Sequence, residues 1–278
     1  MLLQKLFHGS LWIAAACLIS CNNASDEKDA DADTTTTPQL KEENISYTGD
    51  NTTMNGFLVY DENKQGTRPA VLVVHEWWGL NDYTKTRARQ LAELGYIALA
   101  VDMYGNGKTA DNPTDAGNLA TPFYENPQMA KARFDAALEK IKTYPQTDTS
   151  KIAAIGYCFG GAQVINMAKL GDNLKGVVSF HGNLAVLPAN KDLLKADILV
   201  CHAADDPFVP QAEVDIFKKQ MDSIGASYTF KAYEGTTHAF TNPQATAYGE
   251  KFNLPLRYNA AADSASWNDM KAFFEKIF

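Results

Sequence analysis

The stretch that most restricts this chain is a single junction, Gly156-Tyr157-Cys158-Phe159-Gly160-Gly161, which follows the apolar run 152–155 and leads into a helical pattern over 162–170. The order strand, Gly-x-Cys-x-Gly, helix is that of the Gly-x-Ser-x-Gly nucleophile elbow with sulfur in place of the hydroxyl oxygen. Such a turn holds its central residue in strained dihedrals, and side chains at the flanking positions would collide with the strand and helix they join. Cys158 is therefore expected at the top of a sheet, exposed, with its sulfur at a helix N-terminus. Unpaired N–H groups and the macrodipole favour the reactive thiolate there. The opposing reading is a buried cysteine serving as a small hydrophobe, the usual fate of a free thiol. The strand-to-helix context favours the nucleophile.

Around the junction, apolar runs alternate with helical periodicity. Pro69-Ala70-Val71-Leu72-Val73-Val74 contains no polar side chain, the mark of a strand covered on both faces. A further buried strand is expected at 96–101, strands at 176–180, 196–201 and 227–233, and half-exposed antiparallel strands near a sheet edge at 43–47 and 53–60. Helices are expected at 81–94, closed by Gly95, and at 127–144, 211–221 and 263–278. The segment 103–125, rich in Gly, Asn, Asp and Pro, reads as a long irregular loop of the kind that lines a site. This alternation predicts an α/β fold, a mostly parallel central sheet with helices on both faces. Ligands of such folds collect at the carboxyl ends of the strands.

Those ends carry His75-Glu76-Trp77-Trp78-Gly79, Asp102-Met103-Tyr104-Gly105, Cys158, His181-Gly182, Cys201-His202 with Asp205-Asp206, and His238. A thiol nucleophile needs a base to hold its proton and a carboxylate to orient that base, in the chain order nucleophile, acid, histidine. Cys158, one of the two adjacent aspartates and His238 satisfy that order. Asp205, if not the acid, is placed to cap the following helix. His75, His181 and His202 also end strands, where side chains often only hydrogen-bond neighbouring loops. No histidine pair has the i, i+4 helical spacing of a zinc protease, and the chemistry needs neither metal nor cofactor.

On four motifs the chain resembles the dienelactone hydrolase family of α/β-hydrolases over about 43–278: His75-Glu76-Trp77-Trp78-Gly79, Gly156-Tyr157-Cys158-Phe159-Gly160-Gly161, Asp206-Pro207-Phe208-Val209-Pro210 and Gly235-Thr236-Thr237-His238-Ala239-Phe240. The resemblance implies an α/β-hydrolase that cleaves a small ester or lactone, with Cys158 as nucleophile, His238 as general base and then acid, and Asp206 fixing the imidazole tautomer. It selects Asp206 over Asp205, because two residues separate the family's aspartate from the Val-Pro pair. It also implies an oxyanion hole made by the Phe159 and Trp77 amides, and matches Glu76 to a glutamate that lies close to the cysteine. Trp77, Trp78, Tyr104 and Phe240 either wall an apolar pocket or pack the loops. The best-known members hold a substrate carboxylate with arginines, one shortly after the catalytic histidine. Here that stretch is Thr241-Asn242-Pro243-Gln244, which leaves Arg133, Arg257 or Lys108 for the task and makes a dienelactone an unexpected substrate. The rival function class is a non-catalytic surface lipoprotein that keeps the fold to bind a ligand or partner.

Composition bounds the rest. With 278 residues, 45% hydrophobic and 21% charged, one catalytic domain is expected, and a net charge of −8 without a basic stripe excludes nucleic acid as a partner. Residues 1–20 read as an export signal, too short in its apolar region to span a bilayer. Leu18-Ile19-Ser20-Cys21 resembles a bacterial lipobox in which Cys21 is lipidated. The expectation is an exported lipoprotein held at the outer membrane by its lipid alone, on either face, and monomeric. Residues 21–42 form an acidic tether, with five carboxylates and one lysine from Asp26 to Asp33, and 43–278 form the domain. Cys158 and Cys201 are expected two strands apart, roughly 9–10 Å, beyond the reach of a disulfide.

Overall fold

The computed structural model describes residues 37–184 and 186–278; the segment read as an export signal, Cys21 and the acidic stretch as far as Thr36 lie outside the described residues. Eight strands form one sheet: β1 (Leu40–Gly49), β2 (Thr52–Asp61), β3 (Arg68–Val74), β4 (Ile97–Val101), β5 (Thr147–Tyr157), β6 (Gly176–Phe180), β7 (Asp197–Ala203) and β8 (Tyr228–Tyr233). Their order is β1-β2-β4-β3-β5-β6-β7-β8. β1 and β2 make an antiparallel hairpin, and β2 meets β4 antiparallel. All remaining pairs are parallel. The helices are α1 (Asp82–Glu93), α2 (Pro113–Glu125), α3 (Pro127–Lys142), α4 (Phe159–Lys169), α5 (Gln211–Ile224), α6 (Ala245–Phe252) and α7 (Ala260–Ile277).

Because side chains alternate across a strand, an all-apolar run feeds two cores at once. Leu72, Leu99, Ala154, Val177 and Ile198 face Phe134 and Leu138 of α3, Val164 of α4 and Phe217 of α5. Their neighbours Val71, Val73, Ala98, Ile155 and Val178 face Leu91 of α1 and Met270 and Phe274 of α7. Helices therefore cover both faces, as the sequence pattern predicts.

Two expectations need correction. The sheet begins at Leu40, inside the segment read as tether. The Gln39 N–H donates to Asp61 Oδ1 at 2.9 Å, and 40–49 pair with 52–61 along the whole hairpin, so ordered structure follows directly after Pro38. The supposed irregular segment 103–125 contains α2. Asn112 caps it by accepting from the Asp115 N–H at 3.0 Å, Pro113 starts it with a preset φ, and Ala116, Ala120 and Phe123 form its buried face. Gly117 and Pro122 hid that pattern. The topology argument against a disulfide holds: β6 lies between the strands that carry Cys158 and Cys201, and both thiols are free.

At the junction of β5 and α4, Cys158 has φ 53° and ψ −115°. The chain turns so tightly that a Cβ on Gly156 would overlap the Gly160 carbonyl, and one on Gly160 would overlap the Val74 carbonyl at the end of β3. Gly160→Ala is therefore expected to cost about 3 kcal/mol or more and to lower the melting temperature by roughly 6–12 °C. Gly117→Ala, where an added methyl meets nothing within 4 Å, is the control and should leave the melting temperature unchanged or slightly raised. Equal melting temperatures for the two variants would contradict the packing argument.

Candidate active site

The parallel strands deliver their carboxyl ends to one edge of the sheet, and the residues that follow β3, β5, β7 and β8 meet there around a cavity of about 150 Å³. Cys158 lies on its wall, partly buried, at the N-cap of α4. The elbow is fixed by its own backbone: the Cys158 N–H donates to Phe180 O at 3.0 Å and to His181 Nδ1 at 3.2 Å. His238 lines the same cavity, and its Nδ1 donates to Asp206 Oδ2 at 2.7 Å. The Asp206 side chain is fully buried, and its Oδ1 accepts the Phe208 N–H at 2.9 Å. Asp205 points to solvent and does not cap α5, which starts after Pro210. Burial alone thus separates the two aspartates.

Burial would depress the His238 pKa, but charge and hydrogen-bond interactions with Cys158 and Asp206 outweigh it and hold the imidazole well above its ordinary value. Its ring is flanked by Phe208, with centroids 5.0 Å apart, and by His181 at 5.2 Å.

The other expected site residues also reach the cavity. Phe159 is the first residue of α4, so its N–H has no partner within the helix, whereas the next amide, Gly160, is taken by His75 O at 3.0 Å. Trp77 lines the wall beside it, and its carbonyl accepts from Tyr104 Oη at 2.9 Å. Glu76 is buried and lines the same wall. Its Oε2 accepts from Asn242 Nδ2 at 2.6 Å. Burial pushes its acid up to about 7, against the smaller opposing effects of Asn242, His238 and Arg87. Of the four aromatics, Trp77 and Trp78 wall the cavity, whereas Tyr104 and Phe240 are buried in the cores on the two faces of the sheet. Trp78 is braced by Tyr248 and Phe252 of α6, a helix too short to stand out in the sequence. Arg133, Arg257 and Lys108 do not line the cavity. Arg133 instead donates to the Met103 and Tyr104 carbonyls.

One residue set aside as a loop contact lies at the centre of the arrangement. His181 Nδ1 accepts from the elbow amide, so its proton sits on Nε2, which donates to Thr241 Oγ1 at 2.8 Å. Thr241 Oγ1 is also 2.7 Å from Tyr83 Oη, and its carbonyl accepts from Arg87 Nη2 at 2.7 Å. Burial, with the positive charge of His238 next, pulls the His181 pKa well below its ordinary value. A neutral His181 ties the loop after His238 to the elbow without adding a second cation beside it. The only sequence signal was its position at a strand end.

Residues 54–278 match the family model described as the dienelactone hydrolase family. Protein usf of Aquifex pyrophilus is 35% identical over 214 residues, which covers 75% of this chain and 88% of that protein. A protein of Aquifex aeolicus whose name proposes a carboxymethylenebutenolidase is 35% identical over 179 residues, 63% of this chain and 77% of its own. Among solved structures, a dienelactone hydrolase-like promiscuous phosphotriesterase from metagenomic libraries aligns with a TM-score of 0.81 at 34% identity, covering 86% of this chain and 99% of that one.

The buried Glu76 gives the site a pH signature. Its folded pKa of about 7 lies above the unfolded value near ~4.3, so the folded state holds the proton more tightly. The stability from this group is complete below about 4.3 and is lost as pH rises through 7, on the order of 3 kcal/mol in total. Glu76→Gln keeps an acceptor for Asn242 and cannot ionise. Denaturant unfolding of this variant should lose that part of the decline between about pH 4.3 and 7; a decline identical to the parent's would contradict the assignment.

Proposed function

The chain belongs to the dienelactone hydrolase family and is an ester or lactone hydrolase, and from that premise we propose that Cys158, His238 and Asp206 act as a triad through an acyl-thioester on Cys158. The observation that carries this reading is the line of contacts from the buried Asp206 carboxylate through His238 to the cysteine at the strained elbow. A protonated imidazole is the partner a thiolate needs, and Asp206 holds the tautomer that turns Nε2 toward the sulfur.

In the first half-reaction the thiolate forms a bond to the carbonyl carbon and the carbonyl π pair moves to oxygen. That oxyanion is received by the Phe159 and Trp77 amides. Collapse breaks the bond to the leaving oxygen, which takes its proton from His238 Nε2. In the second half-reaction the neutral His238 removes a proton from water as the water attacks the thioester, the sulfur leaves as thiolate, and the imidazolium is restored. A thiolate leaves more readily than most alkoxides, so activated esters such as aryl esters and enol lactones are the favoured substrates, and simple alkyl esters and amides are poor ones.

The same proposal extends to location. Residues 1–20 act as an export signal, lipidated Cys21 anchors a monomer to the bacterial outer membrane, and the partner of the site is a small-molecule ester or lactone; the sequence motifs support this. Replacing Cys158 by Ala should reduce kcat/KM for aryl esters and lactones by at least about 10³-fold while the fold melts as before. Mass spectrometry of the parent protein quenched during turnover should find the acyl group on Cys158. Retained turnover in the variant, or an acyl group on another residue, would sink the proposal.

A further inference from the structure

We infer that the cavity selects esters carrying an uncharged aromatic or comparably compact apolar ring and rejects those with a free carboxylate near the scissile bond. This deepens the ester-cleaving reading above and rests on it.

The wall is the first observation. Trp77 and Trp78 stand on one side, Tyr124 and Phe159 on another, and Phe208, 41% exposed, lies at the rim. At about 150 Å³ the space matches that of an apolar cavity known to take one benzene-sized ring. Aromatic walls bind such a ring through offset and edge contacts, which ask for no charge on the ligand.

The second observation is where the cations are. Among the described residues that line the cavity there is no lysine or arginine. Arg87, buried behind the site, donates to the Thr241 carbonyl and to Asp263 Oδ1 at 2.5 Å. Arg133 is held by two carbonyls and Asp50. The remaining positive group is His238, which already faces Cys158 and Asp206. A substrate carboxylate would enter as a further anion on that single imidazole, with Glu76 on the same wall. An anion moved out of water without a partner of its own is strongly disfavoured.

Asn242 completes the filter. Its Nδ2 donates to Glu76 Oε2, and the amide on the cavity wall, Asn183 Nδ2, donates to Phe208 O at 3.1 Å, so both nearby amides are aimed at the protein's own acceptors. Glu76 is thereby kept in place as an acidic wall.

The test compares methyl 4-acetoxybenzoate with 4-acetoxybenzoate, which share ring, acyl group and scissile bond and differ in one carboxylate, at pH 8 on the full mature chain. The neutral ester should show a kcat/KM about 30-fold higher, and Glu76→Gln should narrow that gap by at least about threefold. Equal or faster hydrolysis of the carboxylate, with both esters turned over, overturns this inference and leaves the hydrolase reading intact. Hydrolysis of neither ester overturns this inference too, and the acyl adduct on Cys158 with a lactone then decides the hydrolase reading separately. An unchanged ratio in a folded Glu76→Gln protein overturns the role given to Glu76, and the parent ratio decides the substrate class even where that variant fails to fold.

Discussion

A buried imidazole holds a proton more tightly only where opposite charge and hydrogen bonds replace the lost solvent, and the structure provides that environment for His238. Taking a charged ring out of water costs several kcal/mol unless opposite charge and hydrogen bonds replace the lost solvent. Asp206 supplies one partner through a 2.7 Å hydrogen bond, and Cys158 supplies the other. Neither partner works without the other. Asp206 alone would make an ordinary ion pair, and Cys158 alone would leave the ring free to turn.

The sheet brings the three groups together. β5, β6, β7 and β8 are neighbours and run parallel, so the elbow, the aspartate loop and the histidine loop leave the same edge within a few strand spacings. The glycines at 156 and 160 let the backbone of α4 lie against the end of β3, which sets the height of the sulfur. His181 at the end of β6 then links the elbow amide to Thr241, three residues after His238. Position along the sheet edge is thus converted into fixed distances by local hydrogen bonds.

Much of this was legible in the residues. Strands covered on both faces contain no polar residue for five or six positions, a pattern that 69–74 and 97–101 show plainly. The Gly-x-Cys-x-Gly junction and the order of the later motifs pointed to Cys158, Asp206 and His238, all of which reach the cavity or its edge. What escaped was written in tertiary partners. α2 is marked by its Asn112 cap yet contains Gly117 and Pro122, and propensity alone argued for a loop. α6 is short and gains its place by packing on Trp78. Leu40 was assigned to the tether because composition changes gradually there, whereas pairing with Asp61 decides the strand. His181 looked like a satisfied loop residue, since nothing near it in sequence announces that its acceptor faces the elbow amide.

The most direct test of the paired imidazole and thiol is the rate at which iodoacetamide alkylates Cys158 as a function of pH, followed by peptide mass spectrometry. Cys201 serves as the internal reference, because burial pushes that thiol up to about 12. The account predicts that from pH 6 to 7 Cys158 is alkylated at least about tenfold faster in the parent than in a His238→Ala variant, while Cys201 stays unmodified. Equal rates in the parent and the variant would contradict it.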